Sequence, residues 1–262
     1  MLQVLAYLIT FFACMVGTLS GMGGGIIIKP VLDAAGQMSV AAVTFLSGVT
    51  VIMMTVWTLG KTIQRRESVL DIRNTTLLAV SAAAGGLFGK QAYSTAASLF
   101  QDPDMAGGIQ ATLLLAATAA TFIYTLYKNR IRTKKISSVT VILFIGLVLG
   151  ALGSFMGIGG GPFNVAVLYY FFSMDTKTAT QNSLLIVLFS QLSSVLKTAV
   201  SGSIPDFPLH ILFGMIIAGI LGSEVGRRIY SRADESQATL LFEGAMILIM
   251  LVSAYNIYSF LG

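Results

Sequence analysis

Two stretches of this chain carry its most specific chemistry. Residues 17–32 read GTLSGMGGGIIIKPVL and residues 153–168 read GSFMGIGGGPFNVAVL, aligned without a gap at an offset of 136. Gly17, Gly21, Gly23, Gly24 and Gly25 of the first meet Gly153, Gly157, Gly159, Gly160 and Gly161 of the second. A run of glycines inside an apolar stretch weakens a helix by ~1 kcal/mol per residue relative to alanine. The helix that restarts after such a break begins with N–H groups that have no intrahelical partner. Those N–H groups and the positive end of the helix dipole favour an anion. Glycine lets the backbone approach a ligand to hydrogen-bonding distance. Pro162, directly after Gly161, suits a first helical turn, where its missing donor is not needed. The expected chemistry is therefore backbone-amide binding of one small oxyanion. The candidate contacts are Ser20, Gly21, Met22, Gly23, Gly24 and Gly25 from one break and Gly157, Ile158, Gly159, Gly160 and Gly161 from the other. Asn164, one turn further on, adds a donor. The competing reading is that glycines only allow tight helix packing; it carries more weight at Gly17, Gly21, Gly146, Gly150 and Gly153.

The span after each motif carries a polar stripe. Thr44, Ser47, Thr58 and Lys61 recur at the same offset as Thr180, Ser183, Ser194 and Lys197. Their spacing puts them on one helical face. Gln181, Asn182, Ser190 and Gln191 enrich the stripe in the second half. Thr44, Ser47, Thr180, Asn182 and Ser183 are the candidate substrate contacts from this face. The alternative for them is hydrogen bonding to backbone or neighbouring helices, worth ~0.6 kcal/mol on average. Lys29 and Lys197 are candidate positive charges at the site, because ionisable groups at membrane depth are functional candidates. Against Lys29 stand a local pair with Asp33, four residues on, and Val165 at its repeat position. Lys197 is close enough to a helix end to snorkel. Glu224 and Glu243 are candidate proton carriers, set against the favoured reading that they pair with Arg227 or Arg228 near the inner surface.

Catalysis has little material to work with. Cys14 is the single cysteine and His210 the single histidine. That leaves no thiolate metal cluster and no Ser-His-Asp set, and Asp33 is the one acid near a glycine motif. No enzyme activity, cofactor or metal is expected, and Cys14 reads as a small buried apolar residue.

These residues need a membrane scaffold to position them. Of 262 residues, 55% are hydrophobic and 10% charged, with mean hydropathy +0.84. A soluble domain carries about 25% charged residues. The length suits about six to eight membrane passes of ~20 residues. The net charge of +5 is not a nucleic-acid signal, because the basic residues sit in short clusters between apolar runs. Residues 1–19 are apolar with no Lys or Arg before Lys29, so they read as a retained membrane segment and not a signal peptide. The expected partners are the lipid bilayer and a small anion, with no nucleic acid. Oligomeric state is left open, a homodimer among the options.

In chain order, residues 1–127 form a first repeat. A hairpin over 2–35 turns at GMGGG, and spans follow at 40–60, 74–92 and 106–127. The second arm of that hairpin holds about ten residues and reaches ~15 Å, half of a ~30 Å hydrocarbon core. Residues 128–136 are a basic cytoplasmic linker. Residues 137–262 repeat the plan, with a hairpin over 138–173 turning at GIGGG and spans at 178–200, 208–226 and 237–261. Gly85 and Gly89, echoed by Gly222 and Gly226, are spaced for close helix packing. If each motif turns a hairpin, segments 61–73 and 128–135, the turn at Lys177 and segment 227–232 all lie inside. They hold thirteen of the sixteen Lys and Arg, while Asp33, Asp102, Asp104 and Asp206 lie outside. A plain loop at each motif lowers the inside count to about ten, so the positive-inside rule favours hairpins. The expected fold is an all-α polytopic membrane protein with two inverted-topology repeats, each a broken-helix hairpin plus three transmembrane helices.

At these motifs the chain resembles the TauE/SafE family, the sulfite exporter family. The resemblance rests on GMGGGIIIKP and GIGGGPFNVAVL, on their two-fold occurrence and on the two later GxxxG spans, and it covers essentially the whole chain. It implies export or uptake of a small sulfur-containing anion, sulfite or an organosulfonate, across the cytoplasmic membrane. Ala166 stands where the family's second motif usually ends in proline. The expectation is a secondary transporter working by alternating access. The rivals are a cation transporter or channel, if carbonyl-rich helix ends face the site, and a membrane scaffold without substrate.

Overall fold

The computed structural model describes residues 2–36, 38–99 and 103–261. Asp102 lies outside them. The helices are α1 (Leu2–Ser20), α2 (Gly25–Ala34), α3 (Val40–Gln64), α4 (Ile72–Leu99), α5 (Pro103–Tyr127), α6 (Val139–Phe155), α7 (Pro162–Phe172), α8 (Thr176–Val200), α9 (Leu209–Arg232) and α10 (Glu235–Leu261). No strand occurs among the described residues. Among the described residues, six helices are long and apolar enough to cross a membrane: α1, α3, α5, α8, α9 and α10. Large apolar side chains face outward, Phe144 at 67% exposure among them, as a surface against lipid tails requires. Serines, threonines and amides fill much of the interior. The chain is an all-α polytopic membrane protein.

Local sequence explains where the helices start. Ser39 caps α3 by accepting from the Ala42 amide at 3.2 Å, and Asp175 caps α8 by accepting from the Thr178 amide at 2.6 Å. Ser39 and Asp175 are 136 residues apart, the offset of the glycine motifs. Pro162 opens α7. α4 runs on to Leu99, seven residues past the expected end of its span, because Ala92, Ala96 and Ala97 sustain a helix that few apolar residues advertise.

Glycines set how the long helices pair. A Cβ added at Gly150 would lie 2.0 Å from the Ala82 carbonyl oxygen, and one at Gly85 2.0 Å from that of Leu147. So α4 and α6 lie backbone to backbone and run parallel. In the same way Gly222 meets the Phe11 carbonyl at 2.0 Å and Gly226 that of Met15 at 2.5 Å, which puts α9 parallel to α1. Phe11 and Leu147 are 136 apart, and so are Met15 and Ala151, which Gly89 meets. Each half thus packs its fourth helix on the first helix of the other half.

The basic segments gather at one end. Arg227 bonds Glu67 at 3.1 Å and Glu224 at 2.9 Å, Lys177 donates to the Ala233 carbonyl at 2.8 Å, and Lys128 donates to Thr176 at 2.8 Å. The positive-inside rule expects such a basic end to face the cytoplasm, and it is named the cytoplasmic end accordingly. At the other end Gln3 meets His210 at 2.8 Å. α1 descends from there, and the chain then doubles back. The Gly23 amide donates to the Gly17 carbonyl at 3.3 Å, and Asn256 Nδ2 donates to the Pro30 carbonyl of the rising α2 at 2.9 Å. α6 rises from the cytoplasmic end and α7 returns there, where Ser173 Oγ donates to the Lys134 carbonyl at 2.9 Å.

Candidate functional site

The two chain reversals are backbone devices of the same design. Gly21 and Gly23 have φ of +71° and +77°, and Gly157 and Gly159 have +72° and +71°. Only glycine adopts these angles without strain. Each reversal delivers the N-terminus of a short helix into the middle of the bundle. Among the described residues, the amides of Gly24, Gly25 and Ile26 and those of Gly160, Gly161 and Phe163 have no hydrogen-bond acceptor. Ser20 to Gly25 and Gly157 to Gly161 are all buried.

The two breaks touch. A Cβ added at Gly25 would lie 3.6 Å from the Ile158 carbonyl oxygen, and one at Gly161 3.4 Å from Ile26 Cδ1. Val187 of α8 packs against both Gly23 and Gly160, at 3.1 and 2.6 Å from their added Cβ atoms. Val51 of α3, its repeat counterpart, packs against Gly23 and Gly25 at 3.5 and 3.1 Å.

Unpartnered side-chain groups surround the contact. Asn164 is fully buried with neither its Nδ2 nor its Oδ1 bonded, and Nδ2 lies 2.6 Å from a Cβ added at Gly160. Gln191 is buried with Nε2 unbonded, against both Gly159 and Gly25. Thr180 presses on Gly21 with its Oγ1 unbonded, and Ser183 Oγ donates to the Gly21 carbonyl at 2.7 Å. Gln191 was visible in the sequence only as one member of the polar stripe. Its place between the breaks follows from its lying four residues after Val187 on the same face of α8.

Other candidate residues are engaged elsewhere. Ser20 Oγ donates to the Val16 carbonyl at 2.8 Å, Thr44 Oγ1 to that of Val40 at 2.7 Å and Ser47 Oγ to that of Thr44 at 3.1 Å. Asn182 accepts from the Asp71 amide at 2.9 Å and donates to the Thr178 and Val69 carbonyls, tying α8 to the start of α4. Lys29 pairs with Asp33 at 2.7 Å, and its Cε lies 2.9 Å from a Cβ added at Gly157. Lys197 donates to Gln91 Oε1 at 2.7 Å. Glu224 is held by Arg227, Arg228 and the Trp57 indole. Glu243 lines a cytoplasmic cavity beside Lys128.

Two polar cavities approach the breaks from opposite ends. The outer one, about 310 Å³, includes Thr44, Lys90, Ser94, Gln191, Ser194 and Lys197 in its wall. The inner one, about 360 Å³, includes Thr58, Thr62, Glu67, Thr180, Lys177 and Arg227. Thr44 corresponds to Thr180 and Ser194 to Thr58 at the repeat offset, and Lys90 to Arg227 when Gly85 is aligned with Gly222. The outer wall has two lysines and no acid among its described residues. The inner wall balances Lys177 and Arg227 with Glu67 and Asp175.

A lipid-embedded helical bundle with a polar vestibule at each end and a broken-helix core between them has the build of a membrane transporter. The chain belongs to the TauE family, described as sulfite exporter TauE/SafE, whose model matches residues 6–255. It is also similar to the probable membrane transporter protein YunE of Bacillus subtilis (strain 168), at 24% identity over 259 residues, covering 87% of this chain and 90% of that protein. No solved structure matches the chain. It is a multi-pass cell-membrane protein and a membrane transporter.

Proposed function

We propose that this transporter moves a small sulfur-containing oxyanion, sulfite or an organosulfonate, binding it between the two glycine breaks. One observation carries the reading: two half-helix N-termini meet in the buried core with the amides of Gly24, Gly25, Gly160 and Gly161 unpaired. An unpaired buried amide costs about 1–3 kcal/mol. A bound oxyanion removes that cost at several amides together and gains the field of two helix dipoles. Asn164 Nδ2, Gln191 Nε2 and Thr180 Oγ1 add side-chain donors. The last-turn carbonyls of α1 and α6 weigh against the cation alternative, because those of Gly17 and Gly153 already accept from amides of the breaks and that of Phe155 accepts from Gln110. The outer vestibule's lysines draw an anion inward.

The exchange of helix partners between the halves supports an inverted-repeat mechanism. The outer and inner vestibules are then the same feature in the two repeats. Rocking one repeat against the other opens them in turn. Both stop at the breaks, so Val51 and Val187 must part for the anion to pass.

Gly25→Ala tests the site. Gly25 has no positive φ, and its added Cβ comes no nearer than 3.1 Å to Val51, so the fold accommodates the methyl with a small shift. The methyl crowds the amide cluster. A hydrogen bond to a charged group is worth about 1.5–3 kcal/mol, so sulfite flux into proteoliposomes should fall by about ten- to hundredfold at unchanged protein yield. Wild-type flux of sulfite, sulfate and small sulfonates by this variant would turn the assignment toward another site. Absence of flux in the native protein for all of them would favour a scaffold.

A further inference from the structure

We infer that a pocket around Asp33, separate from the amide cluster, binds one small monovalent cation of sodium type. Asp33 is 8% exposed, in the last turn of α2. It lines a small cavity with Lys29, Gln110, Ser253 and Asn256, beside apolar groups that include Met156 and Ile158. The cavity is about 10 Å³, roughly the space for a single water-sized particle. Four buried oxygens on its lining residues have no hydrogen-bond partner: Asp33 Oδ1, Gln110 Oε1, Ser253 Oγ and Asn256 Oδ1.

The pattern of use of these groups is what points to a cation. Gln110 donates its Nε2 to the Phe155 carbonyl at 2.6 Å, and Asn256 donates its Nδ2 to the Pro30 carbonyl at 2.9 Å. Both amides have thus committed a donor and kept an acceptor. Asp33 keeps Oδ1 free while Oδ2 accepts from Lys29 at 2.7 Å. Gln110, Ser253 and Asn256 are at most 4% exposed, so bulk water does not serve them. A hard cation takes such oxygen ligands. The C-terminal end of α2 adds the negative end of its dipole. The arrangement belongs to one half only, since Val165 and Tyr169 stand at the positions repeating Lys29 and Asp33.

Its place next to the breaks suggests how coupling would work; this step rests on the oxyanion reading above, while the cation site does not. A buried carboxylate requires one positive charge beside it. Lys29 supplies that charge, and its stem lies against Gly157 of the second break. When an anion occupies the amide cluster, Lys29 turns toward it, and the sodium ion at Oδ1 keeps Asp33 neutralised. Each ion then binds more tightly when the other is present.

The test uses the full-length protein in detergent with no transported anion. Its melting temperature is followed on titration with NaCl, against KCl and choline chloride at constant ionic strength and pH. Sodium alone should raise it, since a ligand of the folded state stabilises by mass action. Ser253→Ala and Gln110→Ala, which keep the ion pair, should each move the effective sodium concentration up by about tenfold, and Asp33→Asn should abolish the response. The site is overturned if sodium acts no differently from choline, or if potassium matches it. It is equally overturned if acidification without sodium gives the same rise, or if Ser253→Ala and Gln110→Ala titrate as the native protein. A flat sodium response with normal sulfite flux removes the cation site alone. A sodium response without sulfite flux removes the anion reading alone.

Discussion

A Gly150→Leu variant is expected not to accumulate in the membrane, whereas Gly244→Ala should accumulate at least as well as the native chain. Both glycines are inside helices. Their surroundings differ. A Cβ at Gly150 meets the Ala82 carbonyl oxygen at 2.0 Å and the Ala82 carbonyl carbon and Cα at 2.6 Å. Those are backbone atoms of α4, which cannot rotate aside. Gly85 and Gly89 of α4 press on Leu147 and Ala151 of α6 just as closely, at 2.0 and 2.1 Å. Overpacking a core by a few atoms costs about 1–3 kcal/mol when side chains can yield, and here the helix pair itself would have to separate. Lipid tails supply no hydrophobic force to hold the helices together, so close packing at small residues is the main attraction. At Gly244 nothing lies within 4 Å of the added atom, and alanine gains about 0.5–1 kcal/mol of helix stability. Size-exclusion profiles of detergent extracts measure both. Gly222→Leu, which drives α9 off the Phe11 carbonyl, should fail as Gly150→Leu does. Normal accumulation of either leucine variant would contradict the packing.

The contrast shows which parts of the molecule a linear reading reaches. Chain reversal at the two breaks was legible because the signal is backbone chemistry: a glycine run states where a helix stops whatever surrounds it. The Lys29–Asp33 pair and the Glu224–Arg227 pair were legible because helical spacing of four and three places the partners side by side. The choice of packing partner was not. Gly85 and Gly89 announce a close neighbour, but nothing local says it is α6 and not α5. The run of α4 through residues 93–99 was missed because those residues are small and polar, with helix propensity but no apolar periodicity. The oxygens near Asp33 come from α2, α5 and α10, so residues 33, 110, 253 and 256 have no common motif to betray them. Gln191 fell between these cases: its face was readable, its contact with two distant glycines was not.

Asn164→Leu is expected to make the protein more stable and to stop it transporting. A fully buried amide with both polar atoms unbonded is an unusual residue to keep in a core. Leaving such groups unpaired costs about 1–3 kcal/mol, and a leucine of similar shape removes the penalty. The fold itself has no need of the amide, since Ile28 occupies the repeated position in α2 and is also fully buried. The reason to retain Asn164 is then a ligand that satisfies it. The leucine variant should melt higher by an amount matching about 1–3 kcal/mol, and its sulfite flux should fall by about tenfold or more. A purely structural asparagine does not produce that combination; it would give lower stability or unchanged flux. Asn164→Asp then fixes the sign of the guest. A carboxylate set against the amides of Gly160 and Gly161 would itself satisfy them, as an internal anion, and repel a second negative charge. Sulfite flux should be lost, and added sulfite should no longer protect the protein against heat. If the aspartate variant instead gained cation-dependent stability beyond that of the leucine variant, the breaks would have to be read as a cation site, against the direction of both half-helix dipoles.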